Sequence, residues 1–104
     1  MNDLTSKQRA FLRSLAQRLK PVVHIGSGGV TDAVVRSVED ALRTRELLKA
    51  RVLEGAPETV RATADQLARR LPGVHVPVTT GRTIVVYRAF AENPEIELPR
   101  ASAR

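Results

Sequence analysis

The chain has 104 residues and no cysteine, so it can bury one core of ordinary domain size but forms no disulfide and no thiolate-based catalytic or metal site. Seventeen Lys and Arg against eleven Asp and Glu give a formal charge of +6, while 42% hydrophobic and 27% charged residues make a globular rather than a disordered composition. A folded domain with that balance points to a polyanionic partner, nucleic acid first.

Five basic side chains within the first twenty residues, Lys7, Arg9, Arg13, Arg18 and Lys20, argue against a signal peptide. No apolar run approaches the roughly 20 residues of a membrane span, so no membrane association and a cytoplasmic location are expected. Charge is unevenly placed: residues 1–30 carry five basic side chains and one acid, residues 61–91 again five and one, and the stretch between is near neutral.

Thr5 or Ser6 can cap a first helix running to about Leu19, with Leu4, Gln8, Phe11, Leu12, Leu15, Ala16 and Leu19 at core spacing. On another face Arg9, Arg13 and Lys20 fall within a narrow arc and predict a basic ridge. Pro21 stops that helix, and Pro21 to Ile25 is a short apolar, β-branched run of the kind that makes a buried strand. Gly26-Ser27-Gly28-Gly29 follows, and Thr31 is placed to cap a second helix with Asp32 in its first turn and Val34, Val38, Ala41 and Leu42 inward.

Leu47 to Leu53 reads as a second strand, with Leu48, Ala50 and Val52 on one face and Lys49 and Arg51 on the other. Pro57 suits the first turn of a third helix that carries Val60, Ala64, Leu67, Ala68 and Leu71 inward and ends at Pro72-Gly73. Val74, Val76 and Val78 alternate with His75, Pro77 and Thr79 in a third strand that Pro77 demotes to an edge. Thr80-Gly81-Arg82 turns into a fourth strand, Thr83 to Arg88. The order αβαβαββ predicts an α/β domain of α+β-like, two-layer character, with helices packed on a small four-stranded mixed sheet. Residues 1–91 form the expected single domain; residues 92–104, with Pro94, Pro99 and three glutamates, read as a mostly extended tail.

Three glycines in four positions between strand and helix let the backbone approach a ligand and leave amide N–H groups available to an anion near a helix N-terminus. Sharper motifs fail on this segment. A nucleophile elbow would need glycine at Ile25, a P-loop would need a Gly-Lys-Ser/Thr run, and a dinucleotide fingerprint would need glycine at Thr31 and a second half that this length cannot supply. What survives is a G-x-x-G loop, Gly26 and Gly29 around Ser27 and Gly28, as used by KH-type modules to clamp a nucleic-acid backbone. Lys49 and Arg51, with Arg82 and Arg88 around the last hairpin, could extend the basic track.

Phe11, Tyr87 and Phe90 are the only aromatic residues other than histidine, and Phe11 is expected in the core, so a multi-base stacking platform is not expected; backbone and shape recognition is. His24 and His75 lie in predicted strands without a third histidine, and neither a metal site nor a cofactor is expected. Asp32, Glu39, Asp40, Glu46 and Asp65 fall in helical or capping contexts without a nucleophile–base pair, and no catalytic activity or small-molecule substrate is expected.

Read in order, these residues resemble the CRM domain (chloroplast RNA splicing and ribosome maturation), specifically its bacterial single-domain YhbY-type members. The resemblance is carried by Leu4-Thr5-x-Lys7-Gln8-Arg9, Leu12-x-x-Leu15-Ala16-x-x-Leu19-Lys20-Pro21-Val22-Val23 and Ile25-Gly26-x-x-Gly29, then by Glu46-Leu47-Leu48-Lys49, Gly81 to Arg88, and Ile96-x-Leu98-Pro99-Arg100. It implies a fold similar to the C-terminal domain of bacterial translation initiation factor three with an added N-terminal helix. It also implies an RNA-binding protein acting in assembly of the large ribosomal subunit; separately, a monomer is expected. The RNA contact it implies is Gly26 and Gly29 of the loop with Arg9, Arg13, Lys20, Lys49, Arg82 and Arg88; Ser27 and Gly28 inside the loop and Arg51 beside Lys49 join that set on the reading of the residues above. Thr79-Thr80 departs from the family's more apolar approach to the final turn. Two other readings remain open on the residues alone: a protein-interaction module whose basic surface docks an acidic partner, and a small phosphate- or nucleotide-binding enzyme using the glycine loop.

Overall fold

The computed structural model describes residues 4–100. The elements are α1 (Ser6–Ala16), β1 (Pro21–Ile25), α2 (Asp32–Ala41), β2 (Leu47–Val52), α3 (Val60–Arg70), β3 (His75–Thr80) and β4 (Thr83–Tyr87). The strands form one mixed sheet in the order β1-β2-β4-β3, with β1 parallel to β2 and the other pairs antiparallel. The predicted α/β class and element order are both present, but helices cover both faces of the sheet, giving three layers where two were expected, because α1 packs opposite α2 and α3.

The period-two pattern of the strands sorts the core into two layers. On one face Val23, Ile25, Leu48, Ala50, Val52, Ile84 and Val86 pack against Val38 of α2 and its C-cap Leu42 and against Ala64, Leu67 and Leu71 of the α3 region. On the other, Leu47, Val85 and Tyr87 meet Leu12 and Ala16 of α1, with Leu4, Val78, Ile96 and Leu98 around them. The segment after β4, without helix or strand, therefore lies on the α1 face. It is tied there by Glu46, which is 2% exposed and whose carboxylate accepts the N–H groups of Phe90 (2.8 Å), Glu95 (3.1 Å) and Ile96 (2.7 Å). Gln8 Nε2 adds a donation to the Pro99 carbonyl at 3.0 Å.

Local signals explain most boundaries. Thr5 caps α1 through a reciprocal pair, Gln8 N–H to Thr5 Oγ1 and Thr5 N–H to Gln8 Oε1. Thr31 and Thr59 accept from Val34 and Ala62 at the starts of α2 and α3.

Four further expectations are corrected. Helix α1 ends at Ala16, not Leu19, because i to i+3 bonds at Gln17 and Leu19 tighten the chain ahead of Pro21, which disfavours helical backbone at Lys20. Its buried stripe narrows to Leu12 and Ala16; Phe11, expected in the core, is 36% exposed and Leu15 is 41% exposed, since α1 meets the sheet along a narrow line and, among the described residues, no further layer covers these side chains. Pro57 lies before α3 rather than in its first turn, which Thr59 opens. The valines of β3 do not share a face: an extra residue between His75 and Val78 sends Val76 to the α2/α3 side and Val78 to the α1 side. Pro77 sits in that bulge on an edge strand, where its missing N–H interrupts least.

Candidate nucleic-acid interface

The loop after β1 is a tight turn. Gly29 N–H donates to the Gly26 carbonyl at 2.9 Å with Ser27 and Gly28 exposed at its centre, and Thr31 N–H donates to the Gly29 carbonyl at 3.0 Å before α2 begins. Ser27 and Gly28 keep backbone N–H groups that donate to no acceptor among the described residues, beside a helix N-terminus, which is the arrangement that receives an anion.

The three glycines serve different ends. Gly29 is buried with φ +69°, and a Cβ there would sit 3.2 Å from Pro57 Cγ, so this position requires glycine. Gly26 has no positive φ, and a Cβ would meet Leu53 at an ordinary 3.9 Å. At Gly28 a Cβ would come within 3.1 Å of the Thr31 methyl, which belongs to the residue capping α2. Gly26 therefore has more room for a side chain than Gly28, and Gly29 is the position whose backbone requires glycine.

Cross-strand pairing decides which basic residues share a face with one another. Lys49 stands opposite Val85 and Arg51 opposite Thr83 and His24, which puts both on the α1 face of the sheet. Arg13 from α1, with Gln17, reaches the same depression, which Lys49, Thr80 and Thr83 also line. Arg51 is one residue from the end of β2, where Leu53 N–H donates to the Ile25 carbonyl, so it stands at the loop's end of the sheet. Lys20 is exposed at the other end of β1, a strand length away. Among the described residues Arg13, Lys20, Lys49 and Arg51 have no ion-pair or side-chain hydrogen-bond partner.

The other three predicted arginines are held within the fold. Arg9 donates to the Leu4 carbonyl at 2.7 Å and to Ser6 Oγ at 3.1 Å, and since Lys20 lies beyond the end of α1, the three-residue helical ridge does not exist. Arg82 donates from Nε to the Val52 carbonyl at 2.8 Å and from Nη2 to the Leu53 carbonyl, clamping the hairpin tip to the end of β2. Arg88 makes a two-pronged bridge to Glu39 (2.7 and 3.2 Å) and reaches the Pro72 carbonyl, at the end of β4 away from the loop. Its hydrogen bond holds the Glu39 carboxyl below the usual range against the opposing effect of burial.

One cation near the loop escaped the sequence reading. Arg70 Nη1 donates to the Val30 carbonyl at 3.0 Å, and its other nitrogen pairs with Asp32, whose carboxyl is lowered first by that hydrogen bond and then by the charge. Thirty-eight residues separate the pair in the chain, and no local pattern signals it. The side chain offsets the negative charge that Asp32 brings to the start of α2. Among the described residues no group of three or more His, Cys, Asp or Glu could hold a metal ion, and no helix is long and apolar enough to cross a membrane.

Comparison with known proteins places this geometry among relatives. Residues 4–88 match the profile of the CRS1 / YhbY (CRM) domain. The chain is 42% identical over 96 residues to the "Probable RNA-binding protein YqeI" of Bacillus subtilis, covering 92% of this chain and 99% of that one. It is 37% identical over 100 residues to an RNA-binding protein of Haemophilus influenzae, covering 96% and 99%. The solution structure of the hypothetical protein SAV1595 from Staphylococcus aureus superposes with a TM-score of 0.78 at 38% identity, covering 92% of this chain and 99% of that one.

Proposed function

The chain belongs to the CRS1/YhbY (CRM) domain family, and from that premise we propose that it is a non-catalytic RNA-binding protein that associates with precursor large ribosomal subunits and assists their assembly. The observation that carries the reading is the turn at Gly26 to Gly29, with two N–H groups left open beside a helix N-terminus and unpaired cations on the adjoining sheet face. Such a surface grips phosphates and leaves bases largely unread, since phosphate contacts position a protein without specifying sequence. Arg13, Lys49 and Arg51 extend the grip from the loop, with Lys20 farther along β1. Arg9, Arg82 and Arg88 support the surface by holding helix start, hairpin and sheet end.

The names of the relatives agree with RNA as the partner. Crosslinking in cells followed by sequencing of the attached RNA tests the proposal, and enrichment of large-subunit ribosomal RNA and its precursors is expected. Recovery of an acidic protein with no RNA above background would favour a protein-docking module instead.

A further inference from the structure

Helices α1 and α3 lie on opposite faces of the sheet, and β3 is the edge strand between them, so a groove opens along that edge. It measures about 710 Å³, with Val76 and Pro77 in its floor and Arg9, Arg61 and Arg69 on its walls. Asp65 is the one acid in the lining, which leaves the groove with a net charge of +2. Among the described residues the side chains of Arg61 and Arg69 have no ion-pair or hydrogen-bond partner. The groove and the depression beside Arg13 and Lys49 share Val78 in their linings, so the two basic surfaces adjoin across β3.

We infer that this groove is a second RNA-backbone contact, taking the strand as it leaves the sheet face; the inference rests on the RNA-binding reading above. Charge complementarity selects a polyanion. The bulge and Pro77 argue against the competing occupant, an acidic peptide added as a fifth strand, because the edge lacks an N–H where the ladder would continue. The groove has no aromatic side chain on which a base could stack, so phosphate contact by the two free guanidinium groups is the chemistry available. Three strand spacings of about 4.8 Å separate β3 from β1, which puts groove and loop roughly 14 Å apart across the sheet. A G-x-x-G loop clamps about four nucleotides. A short oligonucleotide centred on the loop extends only about half its own length to either side and so stops before the groove, whereas a long one reaches it.

The test compares the full chain with an Arg61→Gln, Arg69→Gln variant, binding single-stranded RNA of about four and about twenty nucleotides. The variant is expected to bind the long RNA roughly tenfold or more weaker, with a log–log salt slope shallower by about 1.4, and the short RNA unchanged. Arg61→Glu with Arg69→Glu should deepen the loss, while circular dichroism reports whether each variant is folded. A folded glutamine variant that binds the long RNA like the parent overturns the inference, as does equal weakening for both lengths. Binding of an acidic peptide in the groove without effect on RNA would assign it to a protein. If the parent binds RNA at neither length, the RNA-binding reading itself fails.

Discussion

Gly29 shows most plainly how a side chain, or its lack, fixes this loop. Its φ of +69° costs an L-residue about 1–2 kcal/mol, and a Cβ would press on Pro57 at 3.2 Å. Gly29→Ala is expected to lower stability by at least that amount in urea unfolding, whereas Gly26→Ala should stay within about 0.5 kcal/mol of the parent, having neither strain nor crowding. That a glycine-rich turn follows β1 was legible, because no other residue type clusters this way between an apolar run and a helix cap. Which glycine is required was not legible, since that depends on Pro57 and Leu53, far along the chain. The same holds for the arginines. Arg82 and Arg51 look alike in sequence, yet one is spent on two backbone carbonyls and the other stands free, a distinction made only by the pairing of β2 with β4.

Among the elements, the segment after β4 depends on a single buried carboxylate. Burial disfavours the charge on Glu46, but the N–H groups of Phe90, Ile96 and Glu95 together outweigh it and hold the carboxyl below its ordinary range. A lowered pKa in the folded chain means stabilisation that is present above the unfolded value of about 4.3 and is lost as pH falls through the folded value. Asp32 and Glu39 are lowered too and add to the same acid-side loss. Glu46→Gln should therefore cost about 1–3 kcal/mol at neutral pH, and the gap to the parent should shrink on acidification. Hydrogen exchange at Phe90, Glu95 and Ile96 should quicken in the variant. In sequence Glu46 reads as one more surface acid, since its partners lie 44 to 50 residues away. Periodicity located all seven elements, and the α2 cap and the edge position of β3 followed from Thr31 and Pro77. It overestimated the buried stripe of α1 because the same spacing of Phe11, Leu15 and Leu19 suits a helix covered along a broad face or along one line.

For the molecule as a whole, the excess of positive charge converts into a salt dependence. About five neutralised phosphates on a single strand give a log–log slope near −3.5, and affinity falling roughly a hundredfold from 50 to 200 mM salt. An affinity indifferent to salt would point to an acidic protein surface recognised through shape and apolar contact instead. The central claim is that the loop between β1 and α2 holds the RNA backbone, and Ser27→Asp addresses it most directly. Ser27 is exposed, sits at the centre of the turn and has no side-chain partner among the described residues, so the fold should keep its stability. An added carboxylate beside the open N–H groups would repel the phosphate they are placed to receive. The decisive measurement is the dissociation constant of folded Ser27→Asp for large-subunit ribosomal RNA, by filter retention at fixed salt. A loss of at least roughly tenfold relative to the parent is predicted, the effect of one charged contact removed. Binding equal to the parent's would show that the loop is only a turn and that the basic faces alone hold the RNA.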